Sequence, residues 1–270
     1  MTSADADPTA DAIERSGWGA RHVKTAFVAR HPQCRPFVAE AGGAIVGTGV
    51  TTLNGPVAWI GTIWVDPAWR GRGLGKALTR ATIDAAEDAG CRALVLVATD
   101  AGRPLYKRFG FEVQTHYRIV EAPGLVSGEA DPCIRAYQPS DLAGMTALDA
   151  AATGEDRAHL LSAFAAPETT RCLRRADGSL GGYVLRAPWG GGATIAPDPD
   201  DALALLNARR LASQPEKRVR AGLLETNETG IERLLAAGWV DAWGAPRMVR
   251  GELPAWQPNA IWGQFDHAVG

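Results

Sequence analysis

The sequence predicts a mixed α/β protein built from two similar halves. Three observations carry that expectation. Helix-like and strand-like patterns alternate along the chain, a Pro-, Gly- and Ser-rich stretch divides it near its middle, and turn motifs of the first half return in the same order in the second. With 270 residues the chain has room for two domains at roughly 150 residues each.

In the first half, Thr9 to Ser16 and Ala20 to Arg30 read as helices separated by Gly17-Trp18-Gly19. Pro36 to Ala41 and Ala44 to Leu53 alternate like strands around Gly42-Gly43, the signal of a hairpin. Asn54-Gly55-Pro56 makes a second turn before an apolar strand, Val57 to Asp66. A helix from Gly75 to Ala89 follows, with Leu78, Ala81, Thr82 and Ala85 on one face, and Gly90 ends it where left-handed geometry favours glycine. Arg92 to Ala98 reads as a buried strand, Arg103 to Arg108 as a short helix and Phe111 to Val120 as a last strand.

The stretch Glu121 to Pro132 then reads as a linker, giving expected domains at 1–122 and 133–270. Across it, Ala41-Gly42-Gly43-Ala44-Ile45-Val46-Gly47 is echoed by Ala176-Asp177-Gly178-Ser179-Leu180-Gly181-Gly182. Asp66-Pro67 recurs as Asp198-Pro199, and Phe109-Gly110-Phe111 as Ala237-Gly238-Trp239. Matches in the same order suggest duplication of one domain.

Composition narrows the function classes. Hydrophobic residues make up 46% and charged residues 21%, enough apolar surface to offset the ordering entropy of a folded chain. The apolar run Ala93 to Ala98 is strand-sized, far short of the ~20 residues that span a bilayer. The acidic N-terminus lacks the layout of a signal peptide, and the net charge of −2 offers no field for nucleic acid or an anionic membrane. The expectation is a soluble cytoplasmic protein, monomer or homodimer, with neither nucleic-acid nor membrane partner. Cys34, Cys91, Cys133 and Cys172 form no C-x-x-C pair and the histidines show no i, i+4 spacing, so buried free thiols and no metal are expected.

Chemistry concentrates in Trp64-Val65-Asp66-Pro67-Ala68-Trp69-Arg70-Gly71-Arg72-Gly73-Leu74-Gly75-Lys76. A strand enters a glycine-dense turn and then a helix start. Glycines let backbone approach an anion, and the free N–H groups of a first helical turn point at it with the positive end of the dipole. Arg70, Arg72 and Lys76 add positive charge, so the segment reads as a pyrophosphate cradle. It is not a Walker loop, because no Gly-Lys-Ser/Thr follows.

Arg70-x-x-Gly73-x-Gly75 on this turn, then a strand, then Leu105-Tyr106-x-x-x-Gly110-Phe111, resembles the GNAT superfamily of acyl-CoA-dependent N-acetyltransferases. The resemblance covers residues 9 to 120, including the Phe37 to Gly47 hairpin at the family's second and third strands. It implies two GNAT-like domains, each a mixed, mostly antiparallel sheet flanked by helices. It also implies that Arg70, Gly71, Arg72, Gly73, Leu74, Gly75 and Lys76 bind the pyrophosphate of acetyl-CoA. Ile63, Trp64 and Val65 would pair with the pantetheine as with a strand, the Val65 N–H facing the developing oxyanion. Tyr106 matches the family's usual proton donor to the departing thiolate.

Several positions depart from the family pattern. Thr99 stands seven residues before the tyrosine where many members carry Asn, and nothing ahead of Thr9 reads as a strand. Ala58, Trp59, Ile60 and Trp64 occupy the stretch where some members place a glutamate base, which leaves the base unassigned. Asp66, Asp100, His116 and Tyr117 are the nearest titratable groups, each read as structural, with a water relay as the alternative. Trp18, Trp59, Trp64 and Trp69 cluster around the expected site, as core or as an acceptor pocket.

In the second half the corresponding loop reads Ala196-Pro197-Asp198-Pro199-Asp200-Asp201. Proline removes donors and three aspartates repel phosphate. Thr229-x-x-Glu232 reads as a capping box, and Leu234 stands where Tyr106 stood. This half resembles a degenerate GNAT repeat of the tandem type, a subgroup that Leu148-Asp149 to Asp156-Arg157 and Arg247-Met248 also fit. Trp256, Trp262 and Phe265 predict a tail that docks. The expected function is an acetyl-CoA-dependent transferase acting on a small-molecule primary amine by direct attack on the thioester, without metal. Its rivals are a protein N-terminal or lysine acetyltransferase and a non-catalytic acyl-CoA sensor.

Overall fold

The computed structural model describes residues 1–129 and 131–270; Ala130, inside the expected linker, lies outside the described residues. In chain order the elements are α1 (Ala6–Arg15), α2 (His22–Val28), β1 (Cys34–Ala41), β2 (Ala44–Asn54), β3 (Val57–Val65), α3 (Leu74–Asp88), β4 (Ala93–Val97), α4 (Arg103–Arg108) and β5 (Glu112–Pro123). They continue with β6 (Ile134–Ala136), α5 (Leu142–Thr153), α6 (Ala158–Phe164), β7 (Thr170–Arg174), β8 (Leu180–Leu185), β9 (Thr194–Ile195) and α7 (Pro199–Leu211). The last are β10 (Arg218–Leu224), α8 (Glu228–Ala236), β11 (Val240–Gly251) and β12 (Ile261–Gly263). The expected elements of the first half are all present, with ends displaced by a few residues.

The chain divides into two compact units. The first holds Met1–Glu112, Met248–Leu253 and His267–Gly270, and the second holds Val113–Arg247 and Pro254–Asp266. These bounds differ from the expected 1–122 and 133–270 for a physical reason. Strand β5 pairs antiparallel with β10, from Tyr117↔Leu224 to Pro123↔Arg218, which commits it to the second unit. Glu121 to Pro123, read as linker, are therefore strand.

In the first unit β1, β2 and β3 are antiparallel neighbours and β4 joins β3 in parallel. The β1–β2 turn at Gly42 and Gly43 needs positive φ at both positions, 59° and 78°, which glycine takes without strain. Alternate residues of β2 face opposite sides of the sheet. Thr51 donates to the Thr82 carbonyl of α3 at 2.7 Å, and a Cβ on Gly49 would meet Thr82 and Leu78 of that helix. Thr48 and Val50 face the side that carries α1 and α2. Leu53, Ile60, Ile83, Leu94, Leu96, Phe109 and Phe111 form the core of this unit.

The second unit contains the order β12-β9-β8-β7-β6, antiparallel throughout, and its core gathers Leu173, Val184, Leu205, Leu206, Leu223, Leu234 and Trp262. Equivalent turns bear out the echo seen in the sequence. Gly110 after α4 and Gly238 after α8 take nearly the same left-handed φ, 80° and 82°, and Asp66 and Asp198 each cap the helical turn that follows.

Candidate active site

Strand β3 changes partners along its length. On one edge it pairs with β2 from Asn54↔Val57 to Gly47↔Val65, with an irregularity between Val50↔Gly61 and Thr48↔Trp64. On the other edge its parallel ladder with β4 covers only Val57↔Ala93, Ala58↔Leu94 and Trp59↔Val95. Past Trp59 the two strands part, and Ile60 to Val65 have no β4 partner among the described residues. Thr62 sits in this irregular stretch with φ of 51°, the one non-glycine positive φ among the described residues. A β-branched residue there carries backbone strain of a kind that concentrates at functional sites.

The expected pantetheine-pairing run, Ile63 to Val65, thus lies on the open edge. Trp64 turns its ring away into the packing of α1 against Ala12 and Ile13, and its indole N–H donates to Ser16 Oγ at 2.9 Å. The glycine loop follows at once. Gly71 and Gly73 take φ of 76° and 85°, and Gly73 is the N-cap of α3, where no side chain accepts from the first-turn N–H groups. Those donors, which a helix cannot satisfy internally, face outward with the positive end of the dipole.

The cations around this loop are arranged unevenly. Arg70 donates through Nε to the Val65 carbonyl at 3.2 Å, which ties the loop to the end of β3. Arg72 lies over the Trp69 ring at 4.7 Å, and Lys76 is exposed on the first turns of α3. Gly75 is small for a packing reason: a Cβ there would stand 3.7 Å from Leu105 and 3.9 Å from Val65. The first turn of α3, the end of β3 and helix α4 therefore meet at one place.

Helix α4 carries Tyr106, which is 9% exposed. Its ring packs edge-on against Phe111, centroids 6.3 Å apart, and burial pushes its phenol up to about 12. Such a phenol stays protonated near neutral pH. Thr99, in place of the family's asparagine, accepts the Gly102 N–H on its hydroxyl at 3.2 Å and so fixes the entry to α4.

The four titratable candidates are all engaged elsewhere. Asp66 accepts the Ala68 N–H at 2.8 Å as a cap, and Asp100 lies 3.9 Å from Arg103 in solvent. His116 pairs with Glu225 at 3.0 Å in the second unit. Tyr117 is fully buried there and accepts from Gln264 at 2.7 Å, burial pushing its phenol above the ordinary range. The tryptophans also divide: Trp59 and Trp64 are core, whereas Trp18 and Trp69 are more open and lie beside Arg21 and Arg72.

In the second unit the equivalent helix start is closed by its own carboxylates. Asp198 Oδ1 accepts from the N–H groups of Asp200 and Asp201 at 2.8 and 3.3 Å, while Asp201 pairs with Arg175 and Asp200 with Arg233. Leu234 is fully buried in core. The capping box read at Thr229 does not form; α8 starts two residues earlier, capped by Asn227, whose Oδ1 accepts the Gly230 N–H at 3.0 Å. An asparagine offers the same acceptor as threonine, and sequence alone leaves the two in competition.

Asp149 and Arg157 form a fully buried bidentate pair at 2.8 and 2.7 Å. Tyr183 donates to Asp149, and Gln264 joins Arg157 at 2.8 Å, so these motif residues build the interior of the second unit. Expected buried thiols hold for Cys34 and Cys172, but Cys133 is exposed and Cys91 intermediate. Among the described residues no cluster of three potential metal ligands forms, and no helix is long and apolar enough to cross a membrane. The docking tail is present: Trp262 and Phe265 are fully buried.

The sequence gives no sign of the strain at Thr62 or of the burial of Thr9 and Lys24. Thr62 carries no local signal, since a β-branched residue in an apolar run reads as plain strand. Thr9 and Lys24 sit on α1 and α2 as ordinary helix residues until the fold turns them inward.

A family model described as "Acetyltransferase (GNAT) family" matches residues 5–111, and one described as "Acetyltransferase (GNAT) domain" matches residues 145–263. The uncharacterized N-acetyltransferase YitH of Bacillus subtilis (strain 168) is 29% identical over 195 residues, 69% of this chain and 67% of that protein. The N-alpha-acetyltransferase RimI of Mycobacterium tuberculosis is 36% identical over 78 residues, 27% of this chain and 49% of that protein. Among solved structures, an acetyltransferase described as putative from Pyrococcus horikoshii superposes with a TM-score of 0.81 at 20% identity, covering 100% of this chain and 94% of that one. A tandem GNAT protein from the clavulanic acid biosynthesis pathway gives 0.63 at 16%, covering 94% and 98%.

Proposed function

The chain belongs to the acetyltransferase (GNAT) family with one such domain in each half, and we propose that its first unit transfers an acetyl group from acetyl-CoA to a primary amine of a small molecule. The observation that carries this reading is the parting of β3 from β4 past Trp59, directly beside the uncapped first turn of α3. A strand edge with unpaired amide groups accepts an extended pantetheine as it would a further strand. Gly71 to Gly75 and the α3 N-terminus then take the pyrophosphate, with Arg70, Arg72 and Lys76 supplying charge.

In this reading a neutral amine attacks the thioester carbonyl, and negative charge gathers on its oxygen near the Val65 N–H. Collapse of that intermediate breaks the carbon–sulfur bond. Tyr106 gives its proton to the leaving thiolate, a transfer that needs close approach because burial has made the phenol a weak acid. The nitrogen loses its own proton to water, in the absence of a carboxylate or histidine assigned to that task.

The reading takes a small acceptor over a protein, and the following comparison decides between them. The test is release of CoA thiol from acetyl-CoA with a panel of small primary amines, beside a panel of peptides with free N-termini and lysines. Turnover with small amines supports the reading; turnover confined to peptides, or none with CoA still bound, overturns it.

A further inference from the structure

Between Val50↔Gly61 and Thr48↔Trp64, β2 supplies one residue, Gly49, and β3 supplies two, Thr62 and Ile63. That two-against-one count is a β-bulge, which re-aims the residues after it. Gly61 and Trp64 lie three positions apart, where plain alternation sets them on opposite faces. Across the bulge they share a face: Gly61 pairs with Val50 and Trp64 with Thr48, both on the α1/α2 side. Ile63 and Val65 turn to the α3 side, beside Gly49 and Gly75.

The bulge also sets the direction of the backbone groups that follow it. The Asp66 N–H donates to the Val46 carbonyl beside it at 2.9 Å. The Val65 N–H, one residue earlier, therefore points the other way, to the edge that β4 has left. On that same edge the Val65 carbonyl accepts from Arg70. A strand slipped by one residue exchanges the two directions and turns the Val65 N–H into the sheet.

Keeping this bulge is costly, because its first residue is Thr62 at φ of 51°, a conformation that glycine ordinarily fills. Such a residue persists only where its surroundings over-determine it. On the α3 side, the missing side chain of Gly49 makes room for Ile63. On the α1/α2 side the support comes from Ala268 and Val269, both buried. Gly61 is close-packed on the Ala268 backbone, and the Val269 carbonyl accepts from Asn54 Nδ2 at 3.1 Å. Val269 and Thr62 line one hollow with room for about one water molecule, which leaves Thr62 little space to relax.

We propose, resting on the acetyl-transfer reading above, that Ala268 and Val269 are positioning residues for the transfer. They hold the bulge at Thr62 from behind and so keep the Val65 N–H on the open edge, where the oxyanion forms. They act on the rate through that one backbone donor, and a donor misplaced by about 1 Å loses most of its effect. Glycine at position 62 takes the same φ without strain and makes the support dispensable.

The experiment compares the parent, Val269→Ala, Thr62→Gly and the double variant. Carbon-13 shifts of labelled Thr62 report its backbone conformation. Thiol release from acetyl-CoA, with the small primary amine that the panel turns over fastest, gives kcat and KM. Val269→Ala should move the Thr62 Cα and Cβ shifts to extended-strand values. It should also lower kcat about tenfold or more and leave KM for acetyl-CoA within about threefold. Adding Thr62→Gly should return kcat to within about threefold of Thr62→Gly alone while the lost Tm stays lost, a recovery that a mere packing defect does not give. If Val269→Ala does not fold, Ala268→Gly, which withdraws the methyl group at Gly61, makes the same comparison. Unmoved Thr62 shifts, or a loss of kcat that Thr62→Gly leaves undiminished, would overturn the positioning role. Shifts that move in a protein whose parent turns over none of the amines would leave the support of the bulge standing and refute the acetyl-transfer reading instead.

Discussion

The Asp198 carboxylate accepts the backbone N–H of Asp200 at 2.8 Å, and with that bond the first turn of α7 is closed to any other anion. The N-cap of α3 is Gly73, which has no side chain to do this. The two helix starts are therefore electrostatically opposite although each follows a strand of its unit, α3 after β3 and α7 after β9. Titration of the unmodified protein with CoA should give a stoichiometry of one per chain. Two equivalent sites in calorimetry would contradict the closed state of α7.

Gly73 offers a cleaner local test. A Cβ built there meets nothing within 4 Å, so a side chain clashes with no atom, and the φ of 85° alone costs roughly 1 kcal/mol for an L-residue. Gly73→Ala should therefore fold and keep most CoA affinity, whereas Gly73→Glu should fold as well and lose CoA binding by 100-fold or more. The difference between the two isolates charge from strain. Calorimetric affinities for CoA that agree within threefold would remove the pyrophosphate from this loop.

Tyr106→Phe should lower turnover by about 10²- to 10⁴-fold, the range for a lost acid-base group, with acetyl-CoA affinity nearly unchanged. The ring keeps its contacts with Phe111 and loses one oxygen. Because burial holds the phenol at about 12, its ionisation lies outside the range of ordinary rate profiles, and no alkaline limb below pH 10 should report it. Turnover within threefold of the parent, measured where chemistry limits the rate, would make Tyr106 a packing residue.

The same burial links Tyr106 to stability. Its folded value of about 12 lies above the ordinary 10.0, so its contribution is fully present below pH 10 and is lost as pH rises through 12. Two units correspond to about 3 kcal/mol. Urea unfolding between pH 9 and 12 should show a steeper alkaline loss in the parent than in Tyr106→Phe, with Tyr117 and Tyr183, also raised by burial, accounting for a shared remainder. Parallel curves for the two proteins would mean that Tyr106 ionises freely.

The part of this design that the sequence made legible was the part written in local chemistry. The glycines of Arg70 to Gly75 announce a backbone-lined turn, and Gly90, Gly110 and Gly238 mark helix ends because left-handed φ excludes most other residues. Proline and aspartate in Pro197 to Asp201 exclude phosphate for equally local reasons. What was not legible depends on long-range pairing. The commitment of β5 to β10 follows from a ladder that joins Tyr117 to Leu224, over a hundred residues away. The strain at Thr62 and the inward turn of Thr9 and Lys24 arise only once β2, β3 and two helices meet. The cap of α8 shows a third case, in which Asn227 and Thr229 both carry the acceptor and geometry chooses between them.

Gly61 and Ala268 supply a last prediction, drawn from a contact that no sequence pattern signals. A Cβ on Gly61 would fall 2.3 Å from both Cα and Cβ of Ala268 and 2.7 Å from its carbonyl oxygen. At the end of β2, Asn54 donates through Nδ2 to the Val269 carbonyl at 3.1 Å, so the segment is held against β3 at Gly61 and against β2 at Asn54. Gly61→Ala should destabilise the first unit by about 1–3 kcal/mol, the usual penalty for overpacking. Because the obstacle includes backbone, trimming the neighbour does not help: Gly61→Ala combined with Ala268→Gly should remain within about 0.5 kcal/mol of the single variant, against a parent carrying Ala268→Gly alone. Urea unfolding of the four proteins makes that cycle. Full rescue by Ala268→Gly would mean that the close approach of these two backbones is relieved by a side chain, and that the segment from His267 to Gly270 yields to a methyl group.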